Sequence, residues 1–171
     1  MLFNTDNSVH WFLEKHYTDY KKFLGLFDGV PAKYHLERGG SNMYYKWDYS
    51  YPLEVDPDKE YLEFLKDSIS GIAPDAKYAS SWWVDYPNGT YSVAHQHVQT
   101  KRLTAIMFLT DYEWIRAWPV AGNLYAMSNL IGYKEWTPNA GDVIIMDGGM
   151  YHGSYPAINE RKVFVVDFEY N

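Results

Sequence analysis

A chain of 171 residues with a formal charge of −7, 47% hydrophobic and 22% charged residues, reads as one globular domain with a sizeable core. The acidic balance speaks against a binder of phosphate backbones, which needs a basic face, and no apolar run is long enough for a membrane-spanning helix. Cysteine is absent, which excludes disulfides, a thiolate nucleophile and sulfur-ligated metal; any metal ligands must be His, Asp, Glu or amides.

The opening "MLFNTDNSVHWF" has neither the basic start nor the apolar stretch of a signal peptide, so a cytoplasmic protein is expected. The first part of the chain, residues 1–77, reads as a helical supporting part. In "NSVHWFLEKHYTDYKKFLGLFDG", Asn7 or Ser8 offers a cap, and Trp11, Phe12, Tyr17 and Phe23 fall loosely at helical intervals before Gly29 and Pro31. The stretch "ERGGSNMYYKWDYSYP" is turn-rich and aromatic. In "DPDKEYLEFLKDSISGIAP", a second helix starts near Asp56 or Asp58 and carries Leu62, Phe64, Leu65 and Ile69 as its apolar stripe. It stops at Gly71 and Pro74.

From residue 78 to 171 the period changes. "YASSWWVDYP", "TYSVAHQHV", "RLTAIMFLT", "GNLYAM", "GDVIIMD" and "RKVFVVDFEY" are short runs rich in β-branched and aromatic residues, separated by turn signals. A single α+β domain, mainly β, is expected: a sandwich or barrel with helices packed on one sheet. The nearly continuous apolar run "KVFVVDF" suits a strand covered on both faces.

Histidine placement carries the functional signal. His95 and His97 stand two apart in a strand-like run, so they share a face, where they share solvent, a hydrogen-bond network or a metal ion. His152 arrives 55 residues after His97, behind the Gly148–Gly149 turn, where a neighbouring strand folds back. Three such ligands make a facial set that leaves positions open for substrates. His10, His16 and His35 fall in no comparable pattern and read as surface or packing residues. Arg161 opens an otherwise apolar strand, either as an exposed strand end with a surface ion pair or as a bidentate clamp for a carboxylate. Lys162 is the alternative clamp if the register differs by one.

The order "HQH…GDVIIMDGGMYH…R" on short strands resembles the iron(II)/2-oxoglutarate-dependent oxygenases, in particular their prolyl-hydroxylase-like branch, over roughly residues 78–171. The resemblance implies a double-stranded β-helix (jelly-roll) core with supporting N-terminal helices. It implies iron(II) as metal, 2-oxoglutarate as co-substrate, and hydroxylation of a small-molecule or peptide substrate. His152 then corresponds to the distal metal ligand and Arg161 to the residue that binds the far carboxylate of 2-oxoglutarate. Tyr86 stands where relatives place a tyrosine that also touches the co-substrate. Beyond the metal ligands it implies no catalytic side chain. The chain departs from the family pattern, because the Asp or Glu two residues after the first His is missing. Either His95 pairs with His97, or His97 pairs with Gln99. Imidazole is the better ligand of a first-row metal, which favours His95 with His97. A carboxylate ligand would leave the centre at net +1, whereas three neutral imidazoles leave it at +2.

Cupins share the jelly roll and match "GTYSVAHQH" and "GDVIIMDGGMYH" in part, but the glutamate they carry after His-x-His is replaced here by Lys101 and Arg102. A three-His metal protein of that kind, acting as dioxygenase or isomerase, is the alternative, along with a jelly roll that only binds a partner. Arg161 favours the oxygenase, which needs an anion clamp near that place.

Overall fold

The computed structural model describes residues 2–5, 8–27, 49–52, 58–86, 91–97, 101–111, 124–128, 132–158 and 161–171. Among these, the strands are β1 (Leu2–Thr5), β2 (Ser8–His16), β3 (Tyr49–Pro52), β4 (Lys77–Tyr86), β5 (Arg102–Phe108), β6 (Leu124–Ser128), β7 (Gly132–Trp136), β8 (Asp142–Asp147), β9 (Tyr151–Ser154) and β10 (Arg161–Glu169). A 3-10 helix covers Tyr20–Phe27, and one α-helix, α1, covers Lys59–Ile69.

Two antiparallel sheets result. The larger has the order β1-β2-β8-β5-β10-β4-β3 and the smaller β7-β6-β9. Alternation along the central strands builds two cores. Leu103, Ala105, Met107, Val143, Ile145, Phe164, Val166 and Phe168 face the helices, where Tyr61, Leu65 and Ile69 of α1 and Phe23 of the 3-10 helix cover them. The residues between them in sequence, Ile106, Phe108, Ile144, Met146, Val163 and Val165, face Leu124, Ala126 and Trp136 of the smaller sheet. Two facing antiparallel sheets with helical cover on one side are the mainly β, jelly-roll-type architecture expected. β10 lies between β5 and β4 and is buried on both faces, as its nearly continuous apolar run requires. The large ring of Phe164, 1% exposed, meets Phe23 at 5.0 Å and Tyr61 at 6.1 Å. Phe164→Ala should therefore cost about 3–5 kcal/mol of stability, read from urea unfolding. A loss below about 1 kcal/mol would mean that the helical cover is not packed there.

The first expected helix needs correction. Residues 8–16 are strand, and among the described residues of that stretch only 20–27 are helical, in 3-10 form. Trp11 and Leu13 face the helix-side core, whereas Phe12 packs on Trp136 at 5.2 Å and Glu14 accepts a 2.8 Å hydrogen bond from its indole N–H. That is a period of two, and pairing with β8 in the register Phe12↔Met146 satisfies the backbone as well. Among its described residues, the part expected to be helical, 1–77, thus supplies three strands as well as α1 and the 3-10 turn. The second helix is where the sequence puts it. Asp58 is its N-cap, accepting from the backbone N–H of Glu60 at 2.8 Å and of Tyr61 at 3.4 Å. Its fully buried stripe is Tyr61, Leu65 and Ile69, with Leu62 and Phe64 partly covered.

Candidate metal centre

His95 and His97 lie on residues 91–97, which run beside β9 without forming the regular strand expected of "TYSVAHQHV". The segment pairs through one bridge, His95 with His152: His95 N–H donates to His152 O at 2.9 Å and His152 N–H to His95 O at 2.8 Å. It then leaves β9, and His97 N–H donates to Gly148 O at 3.0 Å. The turn bends the ladder there and breaks its regular pairing. A Cβ on Gly153 would stand 2.7 Å from Ser92 O, so glycine there lets the histidine segment lie close against the strand that carries His152; a Cβ on Gly148 would instead crowd β5, 3.0 Å from Arg102 O.

The three imidazoles meet. Their ring centroids are 4.5 Å apart for His95–His152, 5.1 Å for His97–His152 and 5.6 Å for His95–His97. Each offers one ligand atom, all within 4.8 Å of one another. Every ring has its Nδ1 engaged. Nδ1 of His95 lies 2.8 Å from Val93 O, and that of His152 lies 3.0 Å from Met150 O. Nδ1 of His97 lies 2.9 and 3.1 Å from the two oxygens of Asp167 and 2.8 Å from Thr104 Oγ1. A carbonyl or carboxylate oxygen only accepts, so each Nδ1 is a donor, and Nε2 is the nitrogen left to meet a metal. This is the tautomer and support that metal-bound histidines have. The donor set of three imidazoles without sulfur suits iron, nickel, copper or zinc. Gln99, the alternative ligand, lies outside the described residues.

Burial, reinforced by its histidine neighbours, holds His152 neutral by lowering its pKa to about 3. The consequence for stability has a definite sign. In the unfolded chain this imidazole binds a proton near its ordinary value of 6.5, so between there and about 3 unfolding takes up a proton. The metal-free protein should lose stability as pH falls through that window, by at most about 1.4 kcal/mol per unit from this group. Urea midpoints measured between about pH 7 and pH 4 should fall more steeply in the wild type than in His152→Gln. Equal slopes would contradict a neutral, buried imidazole.

Arg161 is buried, 6% exposed, rather than at an exposed strand end. It donates from Nη2 to Pro138 O at 2.8 Å, and its guanidinium carbon sits 4.9 Å from the centroid of the Phe108 ring. Tyr86 is directly opposite it in the β10–β4 register, so the two expected co-substrate residues are neighbours. Arg161 shares the face of Val163 and Val165, which points between the sheets; Lys162 alternates to the other face. Sequence reading passed over Asp167 and Thr104. The available signal was an acidic residue inside an apolar strand, which requires a partner when buried.

No protein-family model and no curated protein matches this sequence. Solved structures do. HygX from Streptomyces hygroscopicus, with nickel and 2-oxoglutarate bound, superposes with a TM-score of 0.68 at 8% identity, covering 94% of this chain and 83% of that one. A prolyl hydroxylase from Trichoplax adhaerens, in complex with a hypoxia-inducible-factor oxygen-degradation-domain peptide fragment, gives 0.67 at 17% identity, covering 92% and 83%. A Pseudomonas putida prolyl-4-hydroxylase gives 0.64 at 15% identity, covering 95% and 94%. The chain has the fold of the 2-oxoglutarate- and iron(II)-dependent oxygenases. Identity this low makes the likeness one of fold. The chain spans 53% and 49% of two longer oxygenases that it also matches. Among the described residues, no helix is long and apolar enough to cross a membrane.

Proposed function

We propose that this protein is an iron(II)- and 2-oxoglutarate-dependent hydroxylase of a small-molecule or peptide substrate. The observation that carries the reading is the convergence of His95, His97 and His152 in an oxygenase fold, each with Nδ1 anchored and Nε2 left to bind metal. Together, iron(II) and 2-oxoglutarate supply oxidation by dioxygen, converting the co-substrate to succinate and carbon dioxide and a substrate C–H to C–OH. The chain's own residues supply the setting. His95 and His152 are locked across from each other by two backbone hydrogen bonds, so their relative position does not depend on the ligand. His97 takes the place of the family's carboxylate. Arg161, beside Tyr86, offers a planar fork to the far carboxylate of 2-oxoglutarate, in apolar surroundings that strengthen the attraction. Lys162, on the opposite face, has no part in this reading.

Anaerobic titration with iron(II) and then 2-oxoglutarate tests it. A visible metal-to-ligand charge-transfer band that needs both additions is expected. Iron binding without the band would overturn the co-substrate and favour a cupin-like three-His metal protein. No metal binding would overturn the metal centre and leave a jelly roll that binds a partner.

A further inference from the structure

Asp167 is 2% exposed, on the inward face of β10, six residues from Arg161 at the strand's other end. A carboxylate so placed requires strong partners. Among the described residues, three groups surround it: His97 Nδ1 at 2.9 and 3.1 Å, the hydroxyl of fully buried Thr104 donating at 2.8 Å, and Nη1 of Arg102 at 3.8 Å. The arginine is more closely engaged elsewhere, since its Nη2 donates to Glu169 at 2.6 Å. Arg102 and Glu169 largely balance each other, so the charge of Asp167 is directed at His97. Thr104 is the cross-strand partner of Asp167, and its single proton fixes the plane of the carboxylate.

We propose that Asp167 is the carboxylate of the metal centre, acting through the His97 ring instead of binding the ion itself. The inference rests on reading the three histidines as metal ligands. As a positioning residue, Asp167 aims Nε2 of His97 and strengthens its donor power. It also returns the negative charge that a His-x-His pair lacks: a divalent ion with three neutral imidazoles is +2, and Asp167 brings the assembly to +1. The missing carboxylate is thereby moved one ring outward, from the second ligand position to the closing strand.

The test uses cobalt(II) and zinc(II), without co-substrate, on the full chain and on Asp167→Asn and Thr104→Val. Asparagine keeps the shape and removes the charge. Asp167→Asn should weaken both metals roughly 10–100-fold, the range for loss of such supporting partners, and Thr104→Val should weaken them by less than about tenfold. In the zinc-loaded wild type, the His97 Nδ1 proton should give a far-downfield NMR resonance that moves upfield in Asp167→Asn, a change that a packing role would not produce. Unchanged affinity and an unmoved resonance in Asp167→Asn, with normal wild-type binding, would overturn the role of Asp167 alone. If Asp167→Asn folds poorly, absence of the downfield resonance in the wild type overturns it equally. A wild type that binds neither metal would overturn this proposal together with the metal centre.

Discussion

Replacing His152 by alanine is expected to weaken iron(II) binding on the order of a thousandfold and to abolish the charge-transfer band. Four-ligand zinc sites bind with about 10–16 kcal/mol, or about 2.5–4 per ligand, and the upper end, about 4 kcal/mol, is a thousandfold in affinity. His152 suits this test because its backbone, not its ring, makes the two hydrogen bonds to His95. The variant removes the proposed ligand and leaves the histidine segment docked on β9. His16 is the control: its ring pairs with Asp142 at the surface, and its side chain is 53% exposed. His16→Ala should leave metal affinity within about twofold. Competition with a chelator of known affinity measures both. If His152→Ala bound iron as tightly as the wild type, the ion would not lie among the three rings.

The parts of this site that sequence could disclose are those where chemistry and spacing coincide. His95 and His97 stand out because two imidazoles on one side of an extended segment are an arrangement that packing alone rarely asks for. Long apolar strands such as β8 and β10, and the capped helix α1, are legible because pattern, turn chemistry and length agree there. β2 was not, because "VHWFLEKH" contains good helix formers and alternates only over a few residues; pairing with β8 decides its conformation, and that pairing is non-local. At residues 91–97 the sequence suggests more strand than forms, for the opposite reason. Its composition is strand-like, but its partner turns away at Gly148, so that the ladder is reduced to one bridge. Asp167 shows a third kind of gap. Seventy positions separate it from His97, and only the closing of β10 against β5 brings it beneath the ring.

The second large effect is expected at Arg161. Arg161→Met should raise the dissociation constant of 2-oxoglutarate roughly 150- to 4,000-fold while leaving iron(II) affinity within about threefold. Methionine keeps an apolar stem against Phe108, so the change isolates the charge. Removing one partner of a buried, hydrogen-bonded charge pair costs about 3–5 kcal/mol, which sets the size of the loss. Metal affinity should be spared, since Arg161 and the His97 support at Asp167 occupy opposite ends of the same strand face. Stability of the metal-free protein is the companion readout, because it reports whether the buried guanidinium also serves the scaffold. Equilibrium titration of the anaerobic iron protein with 2-oxoglutarate, beside urea unfolding of the apo form, separates these quantities. Lys162→Met, on the other face of the strand, should change none of them. Parallel loss of iron and 2-oxoglutarate binding in Arg161→Met would make Arg161 part of the scaffold and leave the co-substrate without an anchor. Selective loss of 2-oxoglutarate would make it the clamp, because only a group that touches the co-substrate and not the ion can separate the two affinities.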